Sequence, residues 1–136
     1  MRHLKRGRKL GRTPAHRIAL MRNLAAALFD HEAIVTTRPK AKEVQRFAER
    51  LITVAKRGLR QGGNTLAARR MVASRLQDEA MARKVCNDIA GRFADREGGY
   101  TRIVKLAQVR KGDGGERVRL ELTEIKEEPE AKEKKK

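Results

Sequence analysis

The chain has 136 residues, with 34 Lys and Arg against 17 Asp and Glu, a formal net charge of +17, four aromatic side chains and one cysteine. That length suits one domain with tails. The lone Cys86 excludes an internal disulfide, the scattered His3, His16 and His31 give no metal-binding pattern, and no 18-residue apolar run exists to span a membrane. The charge excess makes polyanions the expected partners, and the few aromatics leave a core that must be mainly aliphatic.

Residues 1–12, "MRHLKRGRKLGR", contain six basic residues (Arg2, Lys5, Arg6, Arg8, Lys9, Arg12), no acid and two glycines. Such a segment buries too little apolar surface to offset its ordering entropy, so an outside partner must order it. A helix is expected from Pro14 to about Phe29, capped by Thr13, with Ile18, Met21, Leu24, Ala25 and Leu28 on its buried face. Arg22 and Asn23 interrupt the apolar run that follows the basic start, which counts against a secretory signal. An acid-poor organelle transit peptide fits the first 29 residues better, yet its removal would delete that amphipathic helix.

"AIVTT" (33–37) reads as a short strand stopped by Pro39, which opens a second helix to about Arg57. Its stripe is Val44, Phe47, Ala48, Leu51, Val54 and Ala55, and Gly58 is placed to end it. "GLRQGGN" is a loop leading to a third helix at about 66–76, with Asn64 or Thr65 as cap. A fourth helix starts near Asp78 with Ala82, Val85, Cys86, Ile89, Ala90 and Phe93 as its stripe, and Gly98-Gly99 closes the helical half of the chain.

The period then becomes two: Val118, Leu120 and Leu122 alternate with Arg117, Arg119 and Glu121 in a half-buried strand. "YTRIVKLAQV" is its hairpin partner through the turn residues of "RKGDGGE". A lone hairpin is marginal in water, so it needs the "AIVTT" strand beside it or helices beneath it. The expected fold class is α+β, a two-layer domain over residues 13–125 in the order helix, strand, three helices, two strands. A basic arm precedes it at 1–12, and a Glu/Lys tail expected to be disordered follows at 126–136.

Enzymatic motifs are absent: there is no Walker loop, H-E-x-x-H, G-x-S-x-G or C-x-x-C. Cys86 lies on an apolar stripe, as a buried small hydrophobe would. Asp30, His31 and Glu32 form the one cluster suggesting acid/base chemistry, and neighbours in sequence do not face one another on a helix. The basic residues are the informative feature. Arg2, Lys5, Arg6, Arg8, Lys9, Arg12, Arg17 and Arg22 precede the first acid, Asp30. A second group, Thr36, Thr37, Arg38, Lys40 and Lys42, surrounds a helix start and reads either as a phosphate site or as a capped helix with exposed lysines. Scarce aromatics argue against base stacking and for contact with the backbone of structured nucleic acid. A DNA-binding protein of the nucleoid type and an RNA-processing enzyme using the Asp30 cluster are the alternatives.

"MRHLKRGRKLGRTPAHRIALMRNLAAAL", "TTRPKAKEVQRFAERLITVAKRG" and "GGYTRIVKLAQVRKGDGGE" resemble the bacterial large-subunit ribosomal proteins of the L-seventeen family, in order over about residues 1–125. The resemblance implies a non-catalytic, cofactor-free constituent of the cytoplasmic ribosome that binds large-subunit RNA. It also implies neighbouring ribosomal proteins near the nascent-chain exit, with neither a membrane nor a small-molecule substrate. It adds His3, His16, Asn23, Tyr100 and Arg102 to the expected RNA-facing residues. Thr13-Pro14 and the Glu/Lys tail depart from the family's usual pattern.

Overall fold

The computed structural model of the chain describes residues 7–60 and 62–124. Expectations for residues 1–6 and for the tail lie outside the described residues. The elements are α1 (Pro14–His31), β1 (Ala33–Thr37), α2 (Arg38–Leu59), α3 (Thr65–Leu76), α4 (a continuous helical run, 79–92), β2 (Thr101–Lys105) and β3 (Arg117–Leu122). This is the expected α+β order.

The sheet is antiparallel throughout, with β3 between β1 and β2. Ile34, Leu120 and Ile103 align across the three strands and turn inward, so "AIVTT" supplies the third strand that the hairpin needs. The helices cover this inner face, and Leu120 and Leu122 join Phe29, Val44, Leu51, Ile52, Ile89 and Phe93 in one core cluster. Tyr100 is also buried there. Its ring centroid lies 5.2 Å from that of Phe93, and its hydroxyl donates to the Glu97 carbonyl at 3.2 Å.

Helix starts follow local chemistry. Asn64 Oδ1 accepts the Ala67 amide at 2.8 Å, and Asp78 Oδ1 accepts the Met81 amide at 2.9 Å. The expected Thr13 cap is not made: Thr13 has the extended cap conformation without the side-chain bond. Gly58 does not end α2, which continues to Leu59. A Cβ at Gly58 would lie 2.5 Å from Ala68 Cβ, so the missing side chain lets α3 pack closely on α2. The turn beyond is closed by Gly63, whose amide donates to the Arg60 carbonyl at 2.8 Å.

Three other features differ from expectation. α4, which ends at Arg92, passes through a π-helical stretch, Val85–Ile89, that turns Val85, Cys86 and Ile89 all toward the core. β2 stops at Lys105, because residues 106–116 form a loop tied by Arg110 N–H to Gly115 O and Gly114 N–H to Arg110 O, both 3.0 Å. α1 buries Ala25, Leu28 and Phe29 from its second half, while Ile18, expected inside, is 52% exposed.

Candidate nucleic-acid interface

The described part of the arm folds back onto α2. Leu10, Gly7 and Gly11 all have positive φ, and Arg12 Nη1 donates to the Leu10 carbonyl at 2.9 Å, so the backbone turns tightly just before α1. Arg8 pairs with Glu43 of α2 at 3.0 Å. Between this segment with α1 on one side and α2 on the other runs an open groove of about 1290 Å³. Arg8, Lys9 and Arg17 line one wall, Arg46 and Arg50 line the other, and Leu10, Ile18, Met21 and Phe47 contribute its apolar surface. Ile18 is exposed because it faces this groove.

α2 carries Lys42, Arg46 and Arg50 at i, i+4 and i+8, all exposed, with Arg57 continuing the same face. Like charges at this spacing destabilise an isolated helix by about 0.2–0.5 kcal/mol per pair. The acids nearby do not relieve them: Glu43 is engaged by Arg8, and Glu49 accepts the Thr101 hydroxyl at 2.9 Å. Arg46 and Arg50 are absent from the residues picked out by sequence. Their signal was the four-residue recurrence of base in "KEVQRFAER", hidden by the acids between them.

The "TTRPKAK" segment forms the end of β1 and the start of α2. Thr36 and Thr37 are half-buried, Thr37 makes no side-chain cap, and no acid occupies the first turn. Lys40 and Lys42 lie on this opening turn and make no ion pair among the described residues, whereas Arg38 pairs with Glu116 at 3.4 Å.

The remaining expected residues scatter. His16 and Asn23 are exposed on α1. Arg22 instead binds the end of α3, donating to the Arg75 carbonyl at 3.0 Å and to Gln77 Oε1 at 2.7 Å. Tyr100 belongs to the core, and its hydroxyl lies 3.3 Å from the buried Lys56 Nζ. Arg102 is exposed on the outer sheet face and pairs with the buried Glu121, which Arg119 holds from the other side at 2.7 Å. Arg2, His3, Lys5 and Arg6 fall outside the described residues.

The suspected acid/base cluster does not converge. Asp30 pairs with Lys84 at 3.0 Å, which holds its carboxyl below the usual range, while Glu32 pairs with Arg92 at 2.7 Å and His31 lies 3.9 Å from Asp30. Burial pushes the Cys86 thiol up, as for a packing residue. Among the described residues no group of three His, Cys, Asp or Glu side chains is placed to hold a metal, and no helix is long and apolar enough to cross a membrane.

The chain is 52% identical over 124 residues to "Large ribosomal subunit protein bL17" of Thermus thermophilus, covering 91% of this chain and all of the relative. The protein of the same name from Erythrobacter litoralis is 48% identical over 128 residues, covering 94% of this chain and 86% of that one. That of Geobacter sulfurreducens is 46% identical over 135 residues, covering 99% and 73%. Residues 20–123 match the family described as Ribosomal protein L17, and the chain belongs to that family.

Proposed function

We propose that the chain is a structural constituent of the large ribosomal subunit that binds large-subunit RNA through its basic arm, the start of α1 and the facing wall of α2. The observation that carries this reading is the groove whose two walls supply Arg8, Lys9, Arg17, Arg46 and Arg50, while its acids are engaged internally. Arginine forks and lysine ammonium groups on opposing walls suit a phosphate backbone, and the exposed apolar side chains suit the sugar edges between phosphates. The opening turn of α2, with Lys40, Lys42 and uncapped amides, offers a further phosphate contact.

No catalytic role is assigned, since the acids that might serve one are each held by a separate cation. A position beside other ribosomal proteins near the nascent-chain exit rests on the family resemblance alone. Association with RNA would add stability to the domain by mass action.

Sedimentation of tagged full-length protein from lysates at normal and low magnesium tests the assignment. The protein should follow the large subunit at both concentrations, after the subunits separate. Its persistent absence from large-subunit fractions would refute the reading.

A further inference from the structure

A second set of cations runs from the far end of α2 along α3. From Arg50 to Gln77 the chain has no acidic residue and carries seven Arg or Lys, the longest acid-free stretch after the amino-terminal one. Lys56 is buried, donating to the Arg96 carbonyl, and Arg50 belongs to the groove. The other five are Arg57 at the end of α2, Arg60 in the turn, and Arg69, Arg70 and Arg75 on α3. Only Arg69 among them is half-buried, and none makes an ion pair among the described residues.

That pattern contrasts with the sheet and the hairpin loop, where Arg102, Arg110 and Arg119 each have a carboxylate partner. The close α2–α3 contact at Gly58 and Ala68 brings the two arginine-bearing helices together at the turn. Arg22 fixes the other end of α3 through the Arg75 carbonyl. The patch therefore sits on a braced frame. No aromatic residue lies between Phe47 and Phe93, so the surface has nothing on which to stack bases, whereas five guanidinium groups suit phosphates. Carrying these charges without a direct ion pair among the described residues, on a chain already at +17, adds self-repulsion that a polyanion removes.

We infer that this surface holds a second segment of RNA by its backbone, so that one chain ties together two RNA segments. Seven residues of helix between Arg50 and Arg57, about 10 Å along the axis, separate the nearest cations of the two contacts, and α3, which does not line the groove, carries three of the five arginines. The inference shares its class of partner with the proposed function but uses different residues, so the two can fail separately.

Hydroxyl-radical footprinting of the full-length chain on a transcript of large-subunit RNA tests it, with two charge-removing variants. One carries Arg57→Gln, Arg60→Gln, Arg70→Gln and Arg75→Gln; the other carries Arg17→Gln, Arg46→Gln and Arg50→Gln. Each should lose a different protected segment and keep the other's, and the four-site variant should lower the salt slope of binding by about four. The same four positions changed to Lys should retain the protections, and the pair Arg57→Gln and Arg60→Gln, confined to the turn, covers the case in which the four-site variant does not fold. Unchanged protections and slope in folded far-end variants, with the groove variant affected, overturn the second contact alone. Loss of cross-links to a neighbouring protein in reconstituted subunits, without any lost RNA protection, would likewise overturn it and make the face protein-binding. Unchanged protections in both sets overturn the RNA reading itself.

Discussion

At position 58 two properties of glycine oppose one another. Within a helix, Gly costs roughly 1 kcal/mol relative to Ala, so propensity favours Gly58→Ala. Packing forbids it, because the new Cβ would sit 2.5 Å from Ala68 Cβ, a short side chain that cannot rotate away, and 3.3 Å from the Asn64 carbonyl oxygen. Overpacking of this kind costs about 1–3 kcal/mol, so Gly58→Ala should lower the urea midpoint, and Ala68→Gly in the same chain should return part of the loss. A Gly58→Ala protein more stable than the parent would show that the two helices are not in close contact. The sequence suggests a helix stop at Gly58 because glycine's local meaning is legible and its partner Ala68, ten residues further on, is not. Ile18 misleads for a related reason: its periodic position marks it as buried, but the surface it faces is a groove.

Element by element, the sequence is most readable where one periodic signal dominates. α2 shows a clear stripe, and Val44, Ala48, Leu51 and Ala55 are fully buried or nearly so. β1 coincides with "AIVTT", since β-branched residues before a helix-opening proline leave few alternatives. The π-helical stretch in α4 has no such signal, nor do the left-handed caps at Glu32 and Gln77, where sequence rules expect Gly or Asn.

The hairpin carries the clearest pH dependence. The Arg110 guanidinium, aided by the Gly115 amide, holds the Asp113 carboxyl far below its usual range, and Lys105 and Arg38 lower Glu116. Carboxylates depressed in the folded state contribute stability above their unfolded pKa, near 4, and lose it as pH falls through the folded value. Carboxyl titration by NMR should therefore find Asp113 still ionised at about pH 3, with the hairpin loosening only below that. An ordinary Asp113 midpoint near 4 would mean that the pair with Arg110 is not maintained in solution.

Over the whole molecule, cations divide by face. On the sheet and in the hairpin loop most arginines have carboxylate partners, whereas along the groove and the far end of α2 most do not. Composition announces a polyanion partner, and the acid-free start locates one groove wall. The other wall depends on which face of α2 meets the arm, a tertiary fact, so Arg46 and Arg50 stay hidden among acids in the sequence. Arg22 illustrates the reverse error, since its place in a basic run conceals its role in holding α3.

If the groove takes a phosphate backbone, binding must release counterions in proportion to the cations engaged. The decisive measurement is the slope of log affinity against log salt for the full-length chain and large-subunit RNA, with and without Arg17→Gln, Arg46→Gln and Arg50→Gln. With some six phosphates neutralised by the arm and α1, parent affinity should fall about 10³-fold between roughly 50 and 200 mM salt, and the variant's slope should be shallower by about three. A variant with the parent's slope and affinity would contradict the account, because RNA would then be held without the groove.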